Sequence, residues 1–281
     1  MSEKIALVCD SMSDLPRNFA EEHSIKVLPA RVIYPDREYA DGIDIQPDEV
    51  YSRMPQEIPT TSMPSPHDIR TAFEELIQEG FTHCIALHIS SALSGTYESV
   101  KMVADEIKNL RIQVIDSRTL SMGTGWLVIN AARNIKAGWN FDSILENMQA
   151  LQEKARVYYI LDTLEYLRKG GRIGKVAGMI GEFLHLKPVI SVNAEGEYFT
   201  YCKAKGRRKS IEKLVEIIEK AVQEREINLG VVHGGAPQEF ELLVKRFKQF
   251  PNIREITASQ ITPVLGVHTG PGLLGVCFYE I

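Results

Sequence analysis

Cysteine is scarce in this chain and neither charge sign dominates, and each shortage closes off a class of function. The four cysteines, Cys9, Cys84, Cys202 and Cys277, form no C-x-x-C pair. Three of them sit in apolar, strand-like runs and read as buried free thiols, not as a disulfide framework or redox motif. A net charge of −5 supplies no global attraction to nucleic acid or to an anionic membrane. No apolar run is long enough to span a bilayer, and Met-Ser-Glu-Lys ahead of one short apolar stretch is not a signal-peptide pattern. The expectation is a cytoplasmic protein. The seven histidines are dispersed, and His83 and His88, five apart on one strand, face opposite sides, so no metal is expected.

Two motif matches fail for want of context. Gly270-Pro-Gly-Leu-Leu-Gly275 fits the dinucleotide fingerprint, but only six residues follow it, with no helix and no acidic residue at the required distance. Gly170 to Lys175 resembles a phosphate loop, yet its spacing is short and Val176 stands where Ser or Thr is needed. There is no internal repeat and no low-complexity tract.

What is present is an alternation of buried strands and amphipathic helices in a chain of 281 residues, long enough for about two domains. Ile5 to Val8, Ile25 to Tyr34, Cys84 to His88 and Arg111 to Ile115 read as strands. Helices are expected from Pro16 to about His23, over Asp48 to Met54, after a Ser65 cap, after Gly125 and from Phe141 to Lys154. Strand–helix–strand order implies parallel pairing through right-handed crossovers. The predicted fold class is α/β: a mostly parallel sheet with flanking helices over 1–155, then an α+β domain over 156–281. In the second half, Asn193-Ala-Glu-Gly196 predicts a hairpin turn, and Ser210 is read as the cap of an amphipathic helix.

Chemistry concentrates in two hydroxyl-rich stretches. Ser90-Ser-Ala-Leu-Ser-Gly-Thr96 lies between a strand and a helix, where backbone N–H groups, hydroxyls and the helix dipole converge on a small anion. Capping of the helix by Ser94 or Thr96 accounts for the same residues without any ligand. Pro59-Thr-Thr-Ser-Met-Pro-Ser-Pro66 is a loop stiffened by prolines that offers Thr60, Thr61 and Ser62 as donors. Ser94, His268 and Asp116 could form a hydrolytic triad acting on a lipid ester, although Ala92-Leu-Ser-Gly-Thr96 lacks the first glycine of a nucleophile elbow.

Read together, several segments resemble the DegV family of bacterial fatty-acid-binding proteins that serve a fatty acid kinase. They are Asp10-Ser-x-x-Asp-Leu-Pro16, Thr61-Ser-Met-Pro-Ser65, Ser90 to Tyr97, Asp116-Ser117, Leu164 to Ile173, Leu186 to Ile190 and Gly266 to Gly275. The resemblance implies a long-chain fatty acid buried between the two domains, its carboxylate held by Thr61 and Ser94 with His268 close by. Ser62 and Gly95 complete that candidate set. It also implies a carrier, not an enzyme, with no cofactor beyond the bound lipid and only transient membrane contact. Such a carrier presents the carboxylate to a separate ATP-dependent kinase and passes the acyl-phosphate toward phospholipid synthesis, with an acyl-phosphate acyltransferase as a further partner. Val176 to Leu186 is apolar almost all round, so Met179, Ile180, Phe183 and Leu184 are candidates for the tail pocket. Lys203, Lys205, Arg207, Arg208 and Lys209 crowd before the Ser210 helix, and Arg168, Lys169, Arg172 and Lys175 form a second basic segment. Arg172 and Arg207 are the candidates for contact with the kinase or the transferred phosphate.

Overall fold

A computed structural model of the protein describes residues 3–179, without the side chain of Met179, and 186–281. In order, the first half runs β1 (Ile5–Asp10), a 3-10 turn (Ser11–Ser13), α1 (Arg17–Glu22), β2 (Lys26–Leu28), β3 (Arg31–Ile33) and β4 (Glu38–Ala40). It continues through α2 (Pro47–Arg53), β5 (Thr60–Ser62), α3 (Pro66–Gln78), β6 (His83–His88), α4 (Thr96–Glu106), β7 (Arg111–Asp116), α5 (Met122–Lys136) and α6 (Phe141–Lys154). The remainder comprises β8 (Ala155–Ile160), α7 (Glu165–Lys169), a 3-10 turn (Gly174–Met179), β9 (Leu186–Val192), β10 (Tyr198–Lys205) and α8 (Gly206–Glu224). It closes with β11 (Ile227–Gly234), α9 (Pro237–Phe247), β12 (Ile253–Gln260), α10 (Pro263–Thr269) and β13 (Leu273–Glu280).

Strands β2-β1-β6-β7 form an all-parallel sheet, as the strand–helix alternation requires. A mixed sheet of order β10-β9-β8-β13-β11-β12 occupies the second half, and β4-β3-β5 make a small antiparallel sheet. Alternation along each strand assigns its faces. On the parallel sheet, Ala6, Val8, Cys84 and Ala86 pack under Ile69 and Phe73 of α3 and Val100 of α4. Leu7, Cys9, Ile85 and Leu87 point the other way, onto α5. The same core takes Val157, Tyr159, Val232 and Cys277 from the mixed sheet, whose opposite face meets α8 and α9 through Leu214, Ile218 and Phe247.

Helix α5 is therefore gripped by both sheets. Met122 to Ile129 are all buried, and the indole N–H of Trp126 donates to the Cys277 carbonyl at 3.3 Å. Two glycines lie in its first turn, where alanine would favour the helix by roughly 0.5–1 kcal/mol. A side chain at Gly125 would stand 2.8 Å from the Ser13 carbonyl, so close packing outweighs propensity there.

Several expectations are corrected. Ile25 to Tyr34 is not one strand: it breaks around Pro29 and Ala30 into β2 and β3, which join different sheets. Thr60 to Ser62 is strand β5, paired with β3, instead of a free loop. Ser210 does not cap α8. That helix begins at Gly206, Ser210 donates back to the Gly206 carbonyl at 2.9 Å, and Arg207 to Lys209 lie within its first turn. Of the apolar run, Ile180, Phe183 and Leu184 and the side chain of Met179 fall outside the described residues. By contrast, Ser65 accepts the Asp68 N–H at 3.1 Å as the cap of α3, and α6 spans the expected residues.

Candidate functional site

Three elements from distant parts of the chain meet at one cavity of about 320 Å³. Strand β5 brings Thr61 and Ser62, the turn before α4 brings Leu93, Ser94 and Gly95, and α10 brings Leu265 and His268. Gly95 is the N-cap of α4, so the positive end of that helix faces the cavity. Ser94 Oγ lies 2.8 Å from Thr96 Oγ1 and accepts the Thr96 N–H at 3.3 Å. These internal bonds hold the hydroxyl at the mouth, where a stronger acceptor can take its proton.

The central contact joins the two halves of the chain. Thr61 Oγ1 lies 2.8 Å from His268 Nε2, while His268 Nδ1 has no partner among the described residues. Burial pushes the imidazole down to about 4, helped by the nearby Arg172 guanidinium. The ring is consequently neutral near pH 7, and a carboxylate placed beside it would favour its protonated form. Arg172 Nη1 donates to the Gly170 carbonyl at 2.7 Å, and Gly170 backs onto the ring so closely that a side chain there would collide with Nδ1.

Beyond the head of the cavity the walls turn apolar. Tyr198, Leu265 and Thr269 are shared with a narrow slot of about 20 Å³ lined by Leu120, Val157, Leu273 and Cys277. Toward solvent, Ser94, Gly95, Arg172 and Tyr198 are shared with an outer cleft of about 470 Å³, flanked by the Lys175–Glu197 ion pair. A larger groove, about 980 Å³, lies along α6, β7 and β8 and touches none of Thr61, Ser94 or His268.

Thr61, Ser62, Ser94, Gly95, His268 and Arg172 are thus brought together, whereas Arg207 is not. Its guanidinium meets Glu239 at 2.6 Å and Asp162 at 3.2 Å and donates to the Gly272 carbonyl at 2.5 Å. No triad is assembled either. Asp116 accepts from Ser91 Oγ at 2.6 Å and from the Arg118 N–H at 2.9 Å, leaving His268 Nδ1 without a carboxylate. Among the described residues no group of three His, Cys, Asp or Glu side chains is placed to hold a metal ion.

The DegV family model, described as an uncharacterised protein family, matches residues 4–280. The chain belongs to the DegV family. A DegV domain-containing protein of Clostridium acetobutylicum is 47% identical over 278 residues, covering 99% of each chain. Among solved structures, a fatty-acid-binding DegV family protein from Thermus thermophilus is 30% identical with a TM-score of 0.93, covering 99% of this chain and 100% of its own. A stearic-acid-binding protein from Eubacterium ventriosum is 28% identical with a TM-score of 0.89, covering 100% of this chain and 98% of its own. Within the described part of this DegV protein, no helix is long and apolar enough to cross a membrane.

Sequence reasoning missed Met12, Tyr198, Val264 and Leu265 as cavity walls. It also assigned no helix to the stretch that forms α10, Pro263–Thr269. The signal was there in Thr262-Pro263, a cap residue followed by proline at the first helical position.

Proposed function

We propose that this DegV protein binds one long-chain fatty acid and presents its carboxylate to a separate ATP-dependent kinase, as a cytoplasmic carrier without chemistry of its own. The observation that carries this reading is the Thr61–His268 contact at the head of a cavity whose far end is apolar. Thr61, Ser94 and Ser62 hydroxyls, the Gly95 end of α4 and the His268 imidazole are the groups a carboxylate needs. Fatty-acid binding by structural neighbours in the same family supports it. The tail supplies most of the affinity: at ~0.8 kcal/mol per methylene, about fourteen methylenes contribute on the order of 11 kcal/mol before ordering costs. The acyl-phosphate would then leave toward phospholipid synthesis through an acyltransferase, with transient membrane contact.

An organic extract of the purified protein, analysed by mass spectrometry, should contain fatty acid at near-equal molar ratio. A protein that carries no lipid and takes up no added stearate overturns the reading. Within the proposal, the tail passes Tyr198 and Leu265 into the slot beside Val157 and Leu273. Val157→Phe should therefore shift the bound mixture toward shorter chains; a uniform loss of stability with an unchanged mixture would place the tail elsewhere.

Gly170→Ala tests the head group from behind. Its methyl would push His268 off Thr61, and losing one hydrogen bond to a charged group costs ~1.5–3 kcal/mol, so stearate should bind about tenfold more weakly. Unaltered binding would remove His268 from the carboxylate site. The kinase would meet Arg172 and the outer cleft. Charge reversal at Arg172 is expected to slow acyl phosphorylation while leaving stearate bound, and added salt to weaken coupling in the wild type.

A further inference from the structure

Outside the cavity, three buried carboxylates crowd beneath α10, and among the described residues no lysine or arginine pairs with any of them. Asp10 faces the parallel sheet: it accepts the Met12 N–H at 3.1 Å and the Ile89 N–H at 2.9 Å, and meets His88 Nδ1 at 3.0 Å. Asp14 and Asp41 turn toward α10. Asp14 accepts the Thr262 N–H at 2.8 Å and Asp41 the Val264 N–H at 2.8 Å. Asp14 also accepts the Ser121 hydroxyl proton. Both aspartates are less than 5% exposed, at 4% and 3%. Among the described residues the buried Tyr51 hydroxyl has no hydrogen-bond partner.

These two contacts hold the start of a helix that carries His268 about one turn further on. A short rigid helix transmits any displacement of its first turn to its last. We propose that Asp14 and Asp41 are positioning residues for His268: they clasp the first turn of α10, and the charge they carry sets how closely His268 meets Thr61. The clasp stands on its own geometry, whereas its consequence for a ligand rests on the fatty-acid reading above.

Burial pushes the Asp14 carboxyl up to about 7 and that of Asp41 to about 6, with Asp41 and Asp10 respectively adding like-charge repulsion. Hydrogen bonds from Ser121 and Thr262 to Asp14, and from Ser11, Val264 and Thr262 to Asp41, oppose the shift. The other ionisable groups facing the cluster are His88 on Asp10, Tyr51 with Asp48 on the α2 side, and the Cys9 and Cys277 thiols. Both thiols are pushed up to about 12 by burial and Tyr51 is raised as well, so all three stay neutral. Native carboxyls that keep protons released near 4 in the unfolded chain favour the fold at low pH. That contribution is lost as pH rises through about 6 to 7, when the adjacent buried charges repel each other while each pulls harder on its own N–H of α10, so the first turn is re-seated.

The test reads His268 by NMR of histidine-labelled, ligand-free protein between pH 5.5 and 8. The ring's own proton has left well below that window, so movement of its resonances there reports displacement. Wild type should show a transition near pH 6 to 7, and stearate affinity should change about fivefold or more across it. Asp14→Asn with Asp41→Asn keeps an oxygen for each N–H but cannot ionise, and should abolish the transition in both readouts. Ser121→Ala removes a bond that favours ionised Asp14 and should move the midpoint upward, which decides the matter if the double variant does not fold. A wild-type His268 that is flat with pH, a transition that survives in the double variant, or a midpoint unmoved in Ser121→Ala overturns the clasp. Failure of every form to bind stearate instead refutes the fatty-acid reading, and the imidazole shifts still decide the clasp.

Discussion

Alanine at both Thr61 and Ser94 should leave the fold intact and slow phosphorylation of the bound acyl group about a hundredfold at saturating lipid. Neither hydroxyl has a structural duty that alanine would betray. Among the described residues, the Thr61 hydroxyl bonds only across to His268 and the Ser94 hydroxyl only to its neighbour Thr96. Removing them costs ~1 kcal/mol each in affinity, small beside the contribution of ~0.8 kcal/mol per methylene of the tail. Their larger effect is on aim, because a carboxylate misplaced by ~1 Å can lose about a hundredfold in rate. The measurement is acyl phosphorylation, with lipid in excess, by the kinase that the proposed function calls for; a wild-type rate in the double variant would sink the carboxylate site.

Trp126→Ala should destabilise the protein by about 3–5 kcal/mol, the range for deleting a large aromatic side chain from a packed core. Trp126 is 1% exposed, packs edge-on against Tyr279 at 5.7 Å between ring centroids, and reaches the mixed sheet through its indole N–H. Typical domains hold only about 5–15 kcal/mol in total, so the loss should be plain in urea unfolding followed by circular dichroism. A change under 1 kcal/mol would mean that the two sheets do not share this helix as a core.

Elements with a strong local signal were legible from the chain. Helix α6 carries Asn140 as its cap, accepting the Ser143 N–H at 2.9 Å, and an apolar stripe of Phe141, Ile144, Met148 and Leu151. Features decided by tertiary contact were not. Basic residues belong badly in the first turn of a helix, which favoured a later start for α8. The structure tolerates Arg207 there because Glu239 and Asp162 neutralise it. That same pairing makes Arg207→Glu a poor probe of partner contact, since reversal would set three acidic groups against one another. At the cavity, Thr61, Ser94 and His268 were singled out by motif, but the walls around them were not. Met12 and Tyr198 have no chemistry that marks them, only a place in space.

A helix claimed by two sheets also decides where this molecule can yield. Parting the sheets would strip α5 on one flank and expose the largest core cluster, a loss on the scale of unfolding itself. The small antiparallel sheet and α10 put fewer side chains into that core, Val32, Val264, Leu265 and Val267, and are short: β3, β4 and β5 are three residues each and α10 is seven. On the proposed function, passage of a lipid head past Thr61 and His268 is a matter of that light seam giving way while α5 stays closed, a local opening instead of a hinge between halves.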